Sequence, residues 1–182
     1  NLLSPYAVTK HLNEEYAKVY ARLHGLETIG MRYFNVFGPK QNPNGVYAAA
    51  IPKFIDAMRK GGEIVINGDG EQSRDFTYVK NAVKANLLAL STENQEAYGR
   101  VFNIACGDSY TLNYIIKEIK GGLSERGLYN ARSVVKHGPD RPGDIRSSLA
   151  DIELTKIVLE YQNLIKFHEG VNHLLSQLIV HQ

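Results

Sequence analysis

Apolar and aromatic residues recur at helical spacing from Tyr6 to about His24, at Val8, Leu12, Tyr16, Val19, Tyr20 and Leu23. Pro5 suits the first turn of such a helix, because its fixed φ matches and its missing N–H would go unused, and Ser4 before it is a reasonable N-cap. Gly25 reads as the residue that closes the helix. The run from Glu27 to Phe34 has the apolar density of a buried strand, which ends in Asn35-Val36-Phe37-Gly38-Pro39. A helix followed at once by an apolar strand is the mark of a parallel α/β sheet.

Beyond the polar, Pro- and Gly-punctuated loop from Lys40 to Gly45, the pattern predicts a second helix from about Tyr47 to Arg59. Its inward positions are Ile51, Phe54, Ile55 and Met58, and Gly61-Gly62 stop it. Ile64–Ile66 reads as a short strand, Asn67-Gly68-Asp69-Gly70 as a tight turn and Arg74–Thr77 as extended. A helix from about Val79 to Leu90, a buried strand Val101–Ile104 and a helix N-capped by Thr111 and running to about Gly121 follow. The stretch from Gly138 to Leu149 is broken by Pro and Gly, and two weaker helices, about Ile152–Leu159 and His168–Ile179, finish the chain. Two or three parallel-type strands are too few for an independent doubly wound sheet. With an N-terminus at Asn1 that has neither Met nor a signal-type segment, this leads us to expect a piece of a longer protein.

Composition changes this picture little. With 182 residues, 43% hydrophobic and 22% charged, the balance is that of an ordinary globular protein. A net charge of +2 without a basic run gives no support for nucleic-acid binding, and no apolar stretch is long enough for a membrane span. The single Cys106 excludes an internal disulfide and fits a reducing compartment, hence the cytoplasm. His168 and His173 are the nearest approach to ligand-like histidine spacing, and no metal site is expected.

Chemistry enters with Tyr6 and Lys10. Four apart on a helix, they point to one face, where an ammonium beside a phenol favours phenolate and makes a plausible base. On spacing alone, a half-buried tyrosine with a solvated lysine neighbour is the better explanation, because Tyr-x-x-x-Lys occurs often by chance.

Four blocks in order carry a resemblance: Ser4-Pro5-Tyr6-x-x-x-Lys10, Arg32-Tyr33-Phe34-Asn35-Val36-Phe37-Gly38-Pro39, Gly68-Asp69-Gly70-x-x-x-Arg74-Asp75-Phe76 and Arg141-Pro142-Gly143-Asp144. Together they resemble the extended short-chain dehydrogenase/reductase family, in its NAD-dependent sugar-nucleotide epimerase/dehydratase branch. The resemblance implies the C-terminal part of a Rossmann-type parallel sheet (residues 1–40). It also implies a smaller α/β substrate domain (41–182), with a segment at about 76–105 returning to the Rossmann part. It implies that Tyr6 takes the proton of the sugar 4-hydroxyl while NAD accepts the hydride, that Lys10 holds the nicotinamide ribose, and that Tyr33 packs near the nicotinamide. Arg74 and Arg141 match diphosphate-binding arginines, Asp144 a ribose-binding carboxylate and Asn35 a diphosphate or sugar ligand; the strand through Ile66 would pair its backbone with uracil. Ser148, or its equally small neighbour Ser147, leaves room for an N-acetyl group on C2.

The reaction so implied is 4-epimerisation of a UDP-hexose, UDP-GlcNAc/UDP-GalNAc above others, for surface polysaccharide precursors. A 4,6-dehydratase, a UDP-glucuronate decarboxylase or epimerase, and a non-catalytic sugar-nucleotide-binding fragment are the alternatives. The family's Gly-rich NAD fingerprint is absent from this sequence and its catalytic Ser/Thr falls upstream of Asn1, so the chain alone is expected to be inactive. Apolar character on more than one face of the first helix suits pairing with a second subunit in a homodimer.

Overall fold

Gly25, at φ +63°, turns its N–H back onto Ala21 O at 3.0 Å and ends helix α1 (Pro5–His24) where the sequence places the stop. The structure, a computed structural model, describes residues 5–44, 49–140 and 145–180; Ser4, Tyr47, Arg141 and Asp144 lie outside the described residues. After α1 come β1 (Ile29–Tyr33), β2 (Val36–Phe37), α2 (Ala50–Lys60), β3 (Glu63–Asn67), β4 (Ser73–Arg74), β5 (Thr77–Tyr78) and α3 (Val79–Ser91). A single 3-10 turn at Gln95–Ala97 leads to β6 (Arg100–Ile104), β7 (Tyr110–Thr111) and α4 (Leu112–Glu125). The chain ends with β8 (Val134–Gly138), β9 (Ser147–Ser148), α5 (Glu153–Leu159) and α6 (Phe167–Val180).

Pairing is mainly parallel. β1 lies along β6, with Met31 opposite Phe102, β2 along β5, and β3 along β8, with Ile66 opposite His137. β4 lies between β7, antiparallel, and β9, parallel, so Arg74 stands between Tyr110 and Ser148. Parallel strands joined through helices bear out the α/β reading.

The larger core gathers α2 (Ile51, Phe54, Met58), β3 (Ile64, Ile66), α4 (Ile115, Ile119, Leu123) and α6 (Val171, Leu175) around Phe37, Phe76 and Phe167. The smaller one packs Phe102 and Ile104 of β6 against Ala85, Val158, Leu159 and Tyr161, with Ile29 and Met31 of β1 at its margin.

One expectation is corrected and two features are added. Gly121-Gly122 do not end α4 but lie inside it; Gly122 sits so close to α6 that a Cβ there would be 2.6 Å from Leu175 Cδ1, so the glycine makes room for a neighbouring helix. Strand β8, with Val134 and Val135 exposed, lacks the apolar density that marks a buried strand, and is held by its ladder to β3 and the Lys136–Glu63 ion pair. Helix α1, for all its apolar residues, has no buried side chain: Leu12, Tyr16, Tyr20 and Leu23 are all exposed.

Candidate functional site

Side chains alternate across β1. Ile29 and Met31 turn to the smaller core, and Tyr33 reaches α3 on that side, its hydroxyl donating to Asn86 Oδ1 at 3.0 Å. Gly30 and Arg32 take the other face, and α1 lies there. Between α1 and β1 runs a groove of about 590 Å³ whose wall includes Tyr6, Lys10, Glu14, Arg32, Tyr33 and Arg100. Helical spacing does bring Tyr6 and Lys10 together: Lys10 Nζ lies 5.4 Å from the centroid of the Tyr6 ring. One turn further on, Glu14 accepts both arms of the Arg32 guanidinium, from Nε and Nη2, each at 2.6 Å. That hydrogen-bonded guanidinium holds the Glu14 carboxyl below its ordinary range, against the opposing effect of burial.

A second cavity, about 210 Å³, opens just past the end of β1 and includes Asn35, Ala50, Gln72, Arg74, Phe76 and Leu112 in its lining. Asn35 takes the left-handed backbone region, at φ +28°, as Asn tolerates better than most residues. Its side-chain amide donates to Asp75 O at 2.8 Å, while its own carbonyl accepts from Thr77 N at 3.3 Å. Arg74 Nη1 donates to Ser73 O at 2.8 Å, and the half-buried Ser148 stands opposite Arg74 across the strand pair. Asn35, Arg74 and Ser148, spread over 114 positions of sequence, thus share one neighbourhood.

Ile66 departs from the expectation. Its side chain is buried in the larger core. The β3–β8 ladder is bracketed by Val134 N donating to Gly62 O and Gly68 N donating to Gly138 O, so the even-numbered residues face β8. Parallel ladders use alternate residues, so Ile66 turns its peptide groups to β8, and the outer edge belongs to Glu63, Val65 and Asn67. Gln72 already donates from Nε2 to Asn67 O at 2.7 Å on that edge. Arg141 and Asp144 lie outside the described residues.

Residue-by-residue reading missed three contacts. Asp75, fully buried, accepts from the peptide N–H groups of Cys106 and Gly107 at 3.0 and 2.9 Å, and so ties the Arg74 strand to the end of β6. Arg146 forks onto Asp69 at 2.7 and 2.8 Å, which links the turn before Arg74 to the segment before Ser148. Glu14 and Arg32 are 18 positions apart, and their pairing had no periodic signal. No group of three potential metal-ligating side chains occurs among the described residues.

The NAD dependent epimerase/dehydratase family model matches residues 1–105, more than half of the chain. The chain belongs to that family. A putative UDP-glucose 4-epimerase of Methanocaldococcus jannaschii is 43% identical over 176 residues, which are 97% of this chain and 53% of that protein. The structure of a UDP-N-acetylglucosamine 4-epimerase from Methanobrevibacter ruminantium, in complex with UDP-N-acetylmuramic acid, matches at a TM-score of 0.86 and 40% identity, covering 99% of this chain and 55% of that one. A UDP-glucuronic acid 4-epimerase from Bacillus cereus, in complex with UDP-glucuronic acid and NAD, matches at a TM-score of 0.81 and 27% identity, covering 99% and 54%. This epimerase-family chain spans about half the length of the relatives it matches.

The residues present suit one end of the family's dinucleotide. The α1–β1 groove offers an ammonium and a phenol side by side, which fits a nicotinamide ribose. A Gly-rich turn for the pyrophosphate is not among this chain's residues.

Proposed function

We propose that this chain is the C-terminal half of a UDP-sugar 4-epimerase acting on UDP-GlcNAc and UDP-GalNAc. The observation that carries the reading is the junction at the end of β1: Tyr33 lines the groove that holds Tyr6 and Lys10, and Asn35, two residues on, lines the cavity that holds Arg74. Ligands of open α/β sheets bind beyond the carboxyl ends of the strands, where this junction lies. A sugar set across it would have its reacting carbon at Tyr6 and its diphosphate at Arg74.

Tyr6 Oη takes the proton of the 4-hydroxyl and later returns it. The adjacent Lys10 ammonium stabilises the phenolate between those steps. NAD, when bound, supplies the acceptor and donor of the C4 hydride. The guanidinium fork of Arg74 grips diphosphate oxygens, with Arg141 as its proposed partner and Asp144 on the ribose. Asn35 has a second amide hydrogen to offer, since among the described residues one bond of its Nδ2 is used within the fold. Small side chains at Ser147 and Ser148 leave space for a C2 N-acetyl group. Residues 1–40 and about 76–105 would complete the NAD-binding domain, and the rest would form the UDP-sugar domain. The exposed apolar side chains of α1 support a homodimer through that helix, and the lone Cys106 supports a cytoplasmic setting.

The test is turnover of UDP-GlcNAc and UDP-GalNAc by the full-length protein beside its Tyr6→Phe variant. Interconversion that falls at least about a hundredfold in the variant is the expected result, in the range for loss of a positioned acid–base group. A 4-keto or decarboxylated product would move the enzyme to a neighbouring branch, and no reaction with any UDP-sugar would refute the reading.

A further inference from the structure

Helix α1 carries Tyr6 and Lys10, yet none of its side chains is buried among the described residues, so within this chain hydrophobic packing does little to set its place on the sheet. Its ion pair Lys18–Glu15 is local to the helix and cannot locate it. The Glu14–Arg32 fork can. Glu14 follows Lys10 by one turn and Tyr6 by two, so the three share a face, and all three line the groove. Arg32 stands on β1, fixed through its strand by pairing opposite Asn103 of β6. Glu14 keeps only 16% of its side-chain surface exposed, and both of its oxygens are engaged at 2.6 Å. Two parallel bonds between planar groups restrain both distance and rotation, as a single Lys contact would not.

We propose that the Glu14–Arg32 fork is a positioning device for the reaction: it sets the height and rotation of α1 against β1, and so the place of Tyr6 and Lys10 on the groove wall. Neither residue need touch substrate. The fork also occupies a carboxylate that, released, would lie one turn from the Lys10 ammonium and compete for it. The other charged groups on the wall, Lys18 and Arg100, are cations. The catalytic consequence rests on Tyr6 being the base, as proposed above; the placement of α1 does not.

The test uses the full-length protein with Arg32→Gln, Glu14→Gln, Arg32→Lys and the double Glu14→Gln/Arg32→Gln. Displacement of a reacting group by about 1 Å can cost a factor on the order of a hundred, so each single variant is expected to lower kcat roughly 10- to 100-fold, with KM for UDP-GlcNAc moving less than about twofold. The double variant should be no worse than either single one, because both break the same contact. Arg32→Lys, which keeps the charge and loses the fork, should behave like Arg32→Gln. Hydrogen exchange gives a reading independent of turnover: in Arg32→Gln the amides of α1 should exchange faster while those of α4 do not change.

Near-wild-type kcat in the single variants, additive losses in the double, full rescue by Arg32→Lys, or unchanged exchange across α1 would each overturn the proposal. If the wild type turns over no UDP-sugar, the epimerase reading fails, and exchange across α1 alone decides whether the fork positions the helix.

Discussion

Asp75 has both carboxylate oxygens engaged inside the fold, with three peptide N–H groups (Cys106, Gly107 and Ala150) directed at it. Burial pushes its carboxyl up, and the three donors oppose that shift. Asp75→Asn keeps the shape but aims an NH₂ group at a peptide donor, so a loss of about 1–3 kcal/mol is expected in urea unfolding. Asp69 shows the opposite balance in solvent. Its bonds to Arg146 and to the Glu71 N–H lower its carboxyl to about 2. A lowered folded-state value means that the link is present above the ordinary aspartate range and is lost as pH falls toward 2. An NMR titration should therefore place the Asp69 midpoint near 2, and Arg146→Gln should return it most of the way toward about 4. At Cys106, burial is the largest cause and pushes the thiol up to about 11, so it is protonated at neutral pH. It should react with a thiol reagent at pH 8 only once the protein is unfolded in denaturant.

Helix α4 tests what packing adds to local preference. Its two adjacent glycines have opposite surroundings: a Cβ at Gly121 would meet nothing within 4 Å, whereas one at Gly122 would press on the buried Leu175 of α6. Helix propensity favours Ala over Gly at both by about 1 kcal/mol. Gly121→Ala should therefore raise stability by up to about 1 kcal/mol. Gly122→Ala should lower it by about 1 kcal/mol, since crowding a packed core costs about 1–3 kcal/mol against the same gain. Thermal unfolding of the two variants side by side would show the opposite signs.

On the scale of the whole molecule, burial is uneven. The core around Phe37, Phe76 and Phe167 is enclosed by α2, α4 and α6, while α1 lies over the Gly30–Arg32 face of β1 with its apolar side chains exposed. Opening free energies follow local burial, so α1 should be the first helix of this chain to exchange its amides and α4 among the last. In the full-length protein, the proposed homodimer predicts that α1 becomes protected and that the solution mass is twice that of one chain. A monomer at micromolar concentration would reject that assembly.

Much of the fold was legible because its signals are local. Pro5, Gly25, Gly61 and the N-capping Thr111 mark helix ends by backbone geometry alone, and Ile51, Phe54, Ile55 and Met58 show their buried face by spacing. Tyr6 and Lys10 were legible for the same reason, since one helical turn brings them together. The blocks at Asn35 and Arg74 could be matched to a family but not placed, because their meeting depends on β2, β4 and β5 being carried to one end of the sheet by elements far apart in sequence. Four facts left no periodic trace: the Glu14–Arg32 fork, the engagement of Asp75 with the end of β6, the turning of Ile66 toward β8, and the room that Gly122 makes for Leu175. Each depends on which strand or helix lies alongside, and that is decided by long-range packing, whereas the position of a helix cap or an amphipathic face is decided within a few residues.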